Sequence, residues 1–241
     1  MSTPQPSPRV SGPNEPGRPL PAWFDLRLIA PALAACVVLF VLSALRLNRG
    51  PDWLLVGRSG SGTATLADLP ISAGDSGPVR LDPGHPMAVD GDLSLYLLCP
   101  RTVALQIGPG SRLSVPTSPG RWVARAVGIR ATQGTLRFTT GPNFPGRLLV
   151  VTTPHGDLVV SGSPEAVNGA TLALEITPDS TAVTVLDGTV GFMPISGTAP
   201  DLPPGTRTTY FGPGPEPVGR GLSARSRGEL EGFRGAWLGR L

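Results

Sequence analysis

The sequence predicts an all-β ectodomain, a β-roll or sandwich of about eleven short strands, preceded by one transmembrane helix. Three observations carry that prediction. Residues Leu28–Leu45, LIAPALAACVVLFVLSAL, hold no charged side chain and lie between Arg27 and Arg46. The 241-residue chain spreads 32 Gly and 29 Pro between short apolar runs, a composition that favours strands and turns over helices. Several of those runs alternate apolar and polar residues, the period-two mark of a half-buried strand.

The elements follow in chain order. In residues 1–27 the stretch STPQPSPRVSGPNEPGRPLP is Pro-rich with almost no apolar side chains, so a disordered tail is expected there. The apolar run comes next. At 1.5 Å per residue its length is about 27 Å, close to a bilayer core. Pro31 is expected in the first helical turn, where its missing N–H costs nothing. A cleaved secretory signal is the competing reading, but its apolar core is shorter and a small-x-small site follows it. Here RLNRGPDW follows, so a retained single-pass helix is expected, with membrane contact through Leu28–Leu45.

Orientation is not set by charge. Arg9, Arg18 and Arg27 on one flank balance Arg46, Arg49 and Arg58 on the other. A short tail that stays inside while the larger part crosses gives a cytoplasmic N-terminus in the inner membrane and a periplasmic C-terminal domain.

Residues 46–92, rich in Gly, Pro, Ser and Asp, read as a linker and irregular lead-in. Residues 93–211 read as the β domain. Its runs are LSLYLL, VALQI, RLSV, WVARAV, TLRFT, RLLVVT, DLVVS, TLALEI, TAVTVL, TVGFM and TRTTYF. Leu136 and Phe138 share one face, as do Leu172, Leu174 and Ile176. Asn168-Gly169 and Asp187-Gly188 are tight-hairpin dipeptides, and Pro178-Asp179-Ser180 separates two further runs. Residues 212–241 read as a linker and an amphipathic C-terminal helix, with Leu230, Phe233, Trp237 and Leu241 at helical spacing and Gly232, Gly235 and Gly239 weakening it. Packing back on the domain competes there with docking to a partner or a membrane surface.

His155, Asp157, Ser161 and Ser163 lie close together in TTPHGDLVVSGS. A catalytic histidine needs a nucleophile on one ring nitrogen and an orienting carboxylate on the other. Asp157 is too near along an extended chain for that role, and neither serine sits in a strand–turn–helix elbow. Thr153-Pro154-His155-Gly156 reads instead as a turn that puts His155 at a loop tip.

His85 stands alone in DPGHPM, and two distant histidines with no cysteine pair make no metal site. Asp90 and Asp92 flank Gly91 without the further oxygen ligands of a calcium loop. Gly57 to Gly62 lacks the Lys and helix of a phosphate cradle. Cys36 falls in the apolar run and Cys99 beyond it, so no bridge is expected. All 20 basic residues are Arg, scattered singly, which argues against nucleic acid as partner. No catalytic, cofactor-binding or metal residue is predicted.

The order of turns resembles the extracytoplasmic FecR-like domain, named after the ferric-citrate regulator. The resemblance rests on QIGPGSRLSV (Gln106–Val115), GTLRF (Gly134–Phe138), VVTTPHGDLVVSGSPEAV (Val150–Val167), TAVTVLDGTVGF (Thr181–Phe192) and LPPGTRT (Leu202–Thr208). It covers about half the chain. The family has Gly-Thr-x-Phe where this chain has Gly162-Ser163-Pro164-Glu165, and its regulators carry a folded cytoplasmic anti-sigma segment for which the tail here is too short. The resemblance implies a non-catalytic envelope protein that works by protein–protein binding in transmembrane signalling or regulation. The alternatives are a structural or carbohydrate-binding envelope module and, on His155, Asp157 and Ser161 alone, a hydrolase.

Overall fold

The computed structural model describes residues 26–71, 78–162, 169–195, 201–211 and 217–241. Nearly all of the N-terminal tail, Asn168, the Ser163-Pro164-Glu165 departure and the first residues of the 212–241 linker lie outside these. Internal contacts divide the chain between Arg46 and Leu47.

The first unit is carried by α1 (Leu26–Leu47). The helix starts two residues earlier than the apolar run suggested, so Pro31 falls in the second turn rather than the first. From Ala30 onward none of its apolar window is buried, with Leu33 60% and Phe40 74% exposed. It is long and apolar enough to cross a membrane.

The second unit is mostly β-sheet, with the strands β1 (Trp53–Ser59), β2 (Gly62–Leu66), β3 (Leu69–Pro70), β4 (Val79–Leu81), β5 (Pro86–Gly91), β6 (Ser94–Cys99), β7 (Val103–Ile107), β8 (Arg112–Ser114) and β9 (Ala126–Thr140) in its first part. Its second part adds β10 (Leu148–Thr153), β11 (Gly156–Ser161), β12 (Thr171–Ile176), β13 (Ser180–Asp187), β14 (Thr189–Pro194), β15 (Asp201–Leu202), β16 (Thr206–Phe211), β17 (Val218–Gly221) and the helix α2 (Ala224–Leu238). The all-β expectation holds; the strand list does not hold in full.

Two corrections matter. The lead-in before Leu93 is not irregular: it supplies β1 to β5, with Trp53, Leu55, Ala64, Met87 and Val89 turned into the core. The Gly-rich SGSG stretch is the β1–β2 turn, where Gly60 takes a φ of +92° against the Asp92 carbonyl. Secondly, WVARAV and TLRFT are not two strands. Residues 122–125 are loop, and Ala126–Thr140 is one strand of 15 residues.

That strand organises the domain. Its first residues pair in parallel with β10, and the chain of antiparallel partners β10–β11–β14–β15 continues from there. Its middle pairs with β8, which leads to β5, β2 and β3. Its last residues lie between β7 and β12. From β7 the ladder runs to β6, β1 and β4; from β12 it runs to β13, β16 and β17. One hydrophobic cluster, from Trp53 through Leu105, Phe138, Leu149 and Leu172 to Phe192, joins all three groups of strands. Gly134, at φ +107°, is where β9 changes partners. A Cβ there would lie 2.2 Å from Ser111 Oγ, so the position needs glycine on two counts.

The helix α2 packs on this domain. Leu230, Phe233 and Trp237 are buried, and Phe233 and Trp237 sit with Ala104 against Val56, Tyr96 and Leu98. The Ser223 side chain caps its first turn by accepting from Ser226 N at 3.1 Å. Arg137–Glu229 at 2.7 Å and Arg234–Asp187 at 3.4 Å fasten the helix to the sheet. The packing reading of this stripe is therefore the one that the structure adopts.

Candidate functional site

The histidine turn holds the densest set of reactive residue types in the chain. The strands β10 and β11 pair from Leu148↔Ser161 to Thr153↔Gly156, leaving Pro154 and His155 as a two-residue connection. The turn is as expected; the loop tip is not. His155 is only 4% exposed. Its Nε2 lies 3.2 Å from the Pro178 carbonyl, which can only accept, so a proton belongs on Nε2. Its Nδ1 is 2.9 Å from Thr181 Oγ1. Thr181 Oγ1 is in turn 3.2 Å from Thr153 Oγ1, and the Thr153 hydroxyl donates to Gly156 O at 2.8 Å. Both ring nitrogens are thus occupied by groups that tie the β10–β11 turn to the start of β13. Gly156 makes the close fit possible, since a Cβ would meet the Met193 carbonyl at 2.3 Å.

Asp157 and Ser161 do not converge on the histidine. Asp157 is half-buried and paired across the ladder with Thr152 and Met193. Ser161 is exposed at the far end of β11, about 20 Å away at the rise of an extended strand. Ser163 lies outside the described residues.

The remaining candidates have structural partners or stand alone. His85 is exposed, and its carbonyl accepts from Val115 N. Asp90 pairs with Arg112 at 3.3 Å. Burial pushes the Cys99 thiol up to about 12, with Sγ 3.7 Å from the Pro51 carbonyl. Cys36 and Cys99 are both free. Among the described residues no three His, Cys, Asp or Glu side chains gather as a metal site would require.

One cavity, of about 350 Å³, is lined by Thr140, Phe144, Ser161, Ala170, Arg234 and Leu238 among others. Its arginine is the one already paired with Asp187. Tyr210, stacked on Phe192 at 3.9 Å, buries a hydroxyl with no partner among the described residues, and burial pushes that phenol up to about 12.

A second arrangement escaped the sequence reading. Asn48, the first residue after α1, clasps the loop before β9. Arg121 N donates to Asn48 O at 2.9 Å; Trp122 N and Val123 N donate to Asn48 Oδ1 at 2.8 and 2.9 Å; Asn48 Nδ2 donates to Val123 O at 3.0 Å. Gly50 lets its backbone touch the loop, since a Cβ would fall 1.6 Å from the Pro119 carbonyl; a Cβ at Gly120 would fall 1.9 Å from Val123 O within the loop and 2.7 Å from Asn48 Nδ2. The loop so held leaves Trp122 56% and Val123 70% exposed. The tryptophan within GRWVAR was the available signal, hidden by its resemblance to a strand.

No family model matches this chain, and no curated protein matches it. Two crystal structures of a candidate anti-sigma factor from Parabacteroides distasonis ATCC 8503 are similar to it, at 15% and 17% identity with TM-scores of 0.47 and 0.45. Each alignment covers 58% of this chain and 61% of the matched chain.

Proposed function

We propose that this is a non-catalytic, single-pass membrane protein whose β domain binds another protein in transmembrane signalling or regulation. The observation that carries the reading is α1, a 22-residue apolar helix with its flank exposed, leading directly through Asn48 into a folded β domain. A helix of that kind has no partner but lipid or another apolar helix. The histidine turn supports the non-catalytic part, since its ring nitrogens are spent on holding two strands together. The FecR-like turn segments TTPHG and VLDG fall on the β10–β11 and β13–β14 connections, and β11 and β14 are ladder neighbours. In this reading the tail is cytoplasmic and the β domain periplasmic.

The test has two parts. A reporter fused after Leu241 should be active on the outer side of the inner membrane, and the chain should resist alkaline carbonate extraction. Crosslinking followed by purification from solubilised membranes should recover a defined protein. A carbonate-soluble chain, or recovery of envelope polysaccharide in place of protein, would count against the proposal.

A further inference from the structure

We infer that the Arg121–Arg125 loop is a second point of membrane contact, seated in the anionic headgroup layer of the bilayer that α1 enters. The inference rests on the membrane reading of α1 given above. Its own ground is the clasp: four hydrogen bonds fix Arg121, Trp122 and Val123 to Asn48, one residue beyond the end of the helix. A helix that spans the bilayer delivers Asn48 to the headgroup level, and whatever Asn48 holds is delivered with it.

The chemistry of the loop suits that level. Trp122 is an amphipathic aromatic of the type enriched at membrane–water interfaces, and Val123 beside it is more exposed still. Arg49, Arg121 and Arg125 are all exposed around them. Arg121 lies over the Trp122 ring at 5.8 Å, so cation and aromatic present one mixed surface. Among the described residues none of these three guanidinium groups is in an ion pair, which suits them to phosphate. In water these two large apolar side chains are left uncovered by the described residues. At the headgroup boundary both halves of the surface are satisfied.

The experiment uses the full chain carrying Cys36→Ala, in nanodiscs of phosphatidylcholine and phosphatidylglycerol, with a nitroxide at Val123→Cys. Cys99 is fully buried and stays unlabelled. A second sample carries the label at Ser59→Cys, exposed at the opposite end of β1, about 20 Å along the strand. Collision with a water-soluble nickel chelate should be several-fold lower for the label at 123 than for the label at 59, with collision by oxygen correspondingly higher. Equal accessibility at the two positions in chains that have entered the disc overturns the inference alone. Chains that fail to enter the disc overturn the anchor reading and the inference together.

Discussion

The His155 turn and the Trp122 loop are opposites. In the first, a polar side chain that looks reactive is buried and given two hydrogen-bond partners. In the second, apolar side chains that look like core are held outward by backbone hydrogen bonds to one asparagine. A residue's chemical type therefore says less about its role here than which groups have been arranged around it. The imidazole serves the fold. The indole, costly to leave bare, is the better pointer to a partner.

The contrast can be broken or sharpened by substitution. His155→Ala should have the largest effect, because it empties a buried site, takes the imidazole from the Pro178 carbonyl and leaves the Thr181 hydroxyl only Thr153. About 2–4 kcal/mol is expected, read by calorimetry as a fall in Tm of about 5–15 °C. A Tm unchanged by that substitution would remove the claim that the histidine is structural. Asn48→Ala deletes the side-chain part of the clasp and should cost about 1–2 kcal/mol, with trypsin cutting faster at Arg121 and Arg125.

Tyr210→Phe should run the other way, gaining about 0.5–1.5 kcal/mol by removing a buried hydroxyl that has no partner among the described residues. The same change bears on pH. Burial raises both Tyr210 and Cys99 to about 12, so the folded state holds their protons more tightly than the unfolded chain. Their contribution is complete below pH 9 and is lost as pH rises toward 12. Denaturant midpoints measured between pH 8 and 11 should fall, less steeply in Tyr210→Phe. Trp122→Ser with Val123→Ser should change stability least, within about 0.5 kcal/mol in detergent, because neither side chain is buried.

Where the chain alternates cleanly, the sequence was sufficient. LSLYLL, VALQI, TLALEI and TAVTVL became strands at nearly the expected residues. Short turn formers misled in both directions. SGSG and DPG read as linker because glycine and proline dominate them, although Trp53, Leu55, Met87 and Val89 around them carry an inward period of two. WVARAV and TLRFT read as separate strands; Gly134, against Ser111, lets one strand run through residues 126–140. The burial of His155 had no local signal. It depends on Pro178 and Thr181, which reach it only through the fold.

The shared strand β9 also sets an order of events as the polypeptide leaves the ribosome. Everything from Trp53 to Ser114 emerges first, yet β7 and β8 find their outer neighbour only when residues 131–140 arrive. The second half, in turn, is built on the two ends of that same segment. Neither portion can close by itself, so a nascent chain halted before Ala126 exposes unpaired edges, and the domain is made whole or not at all.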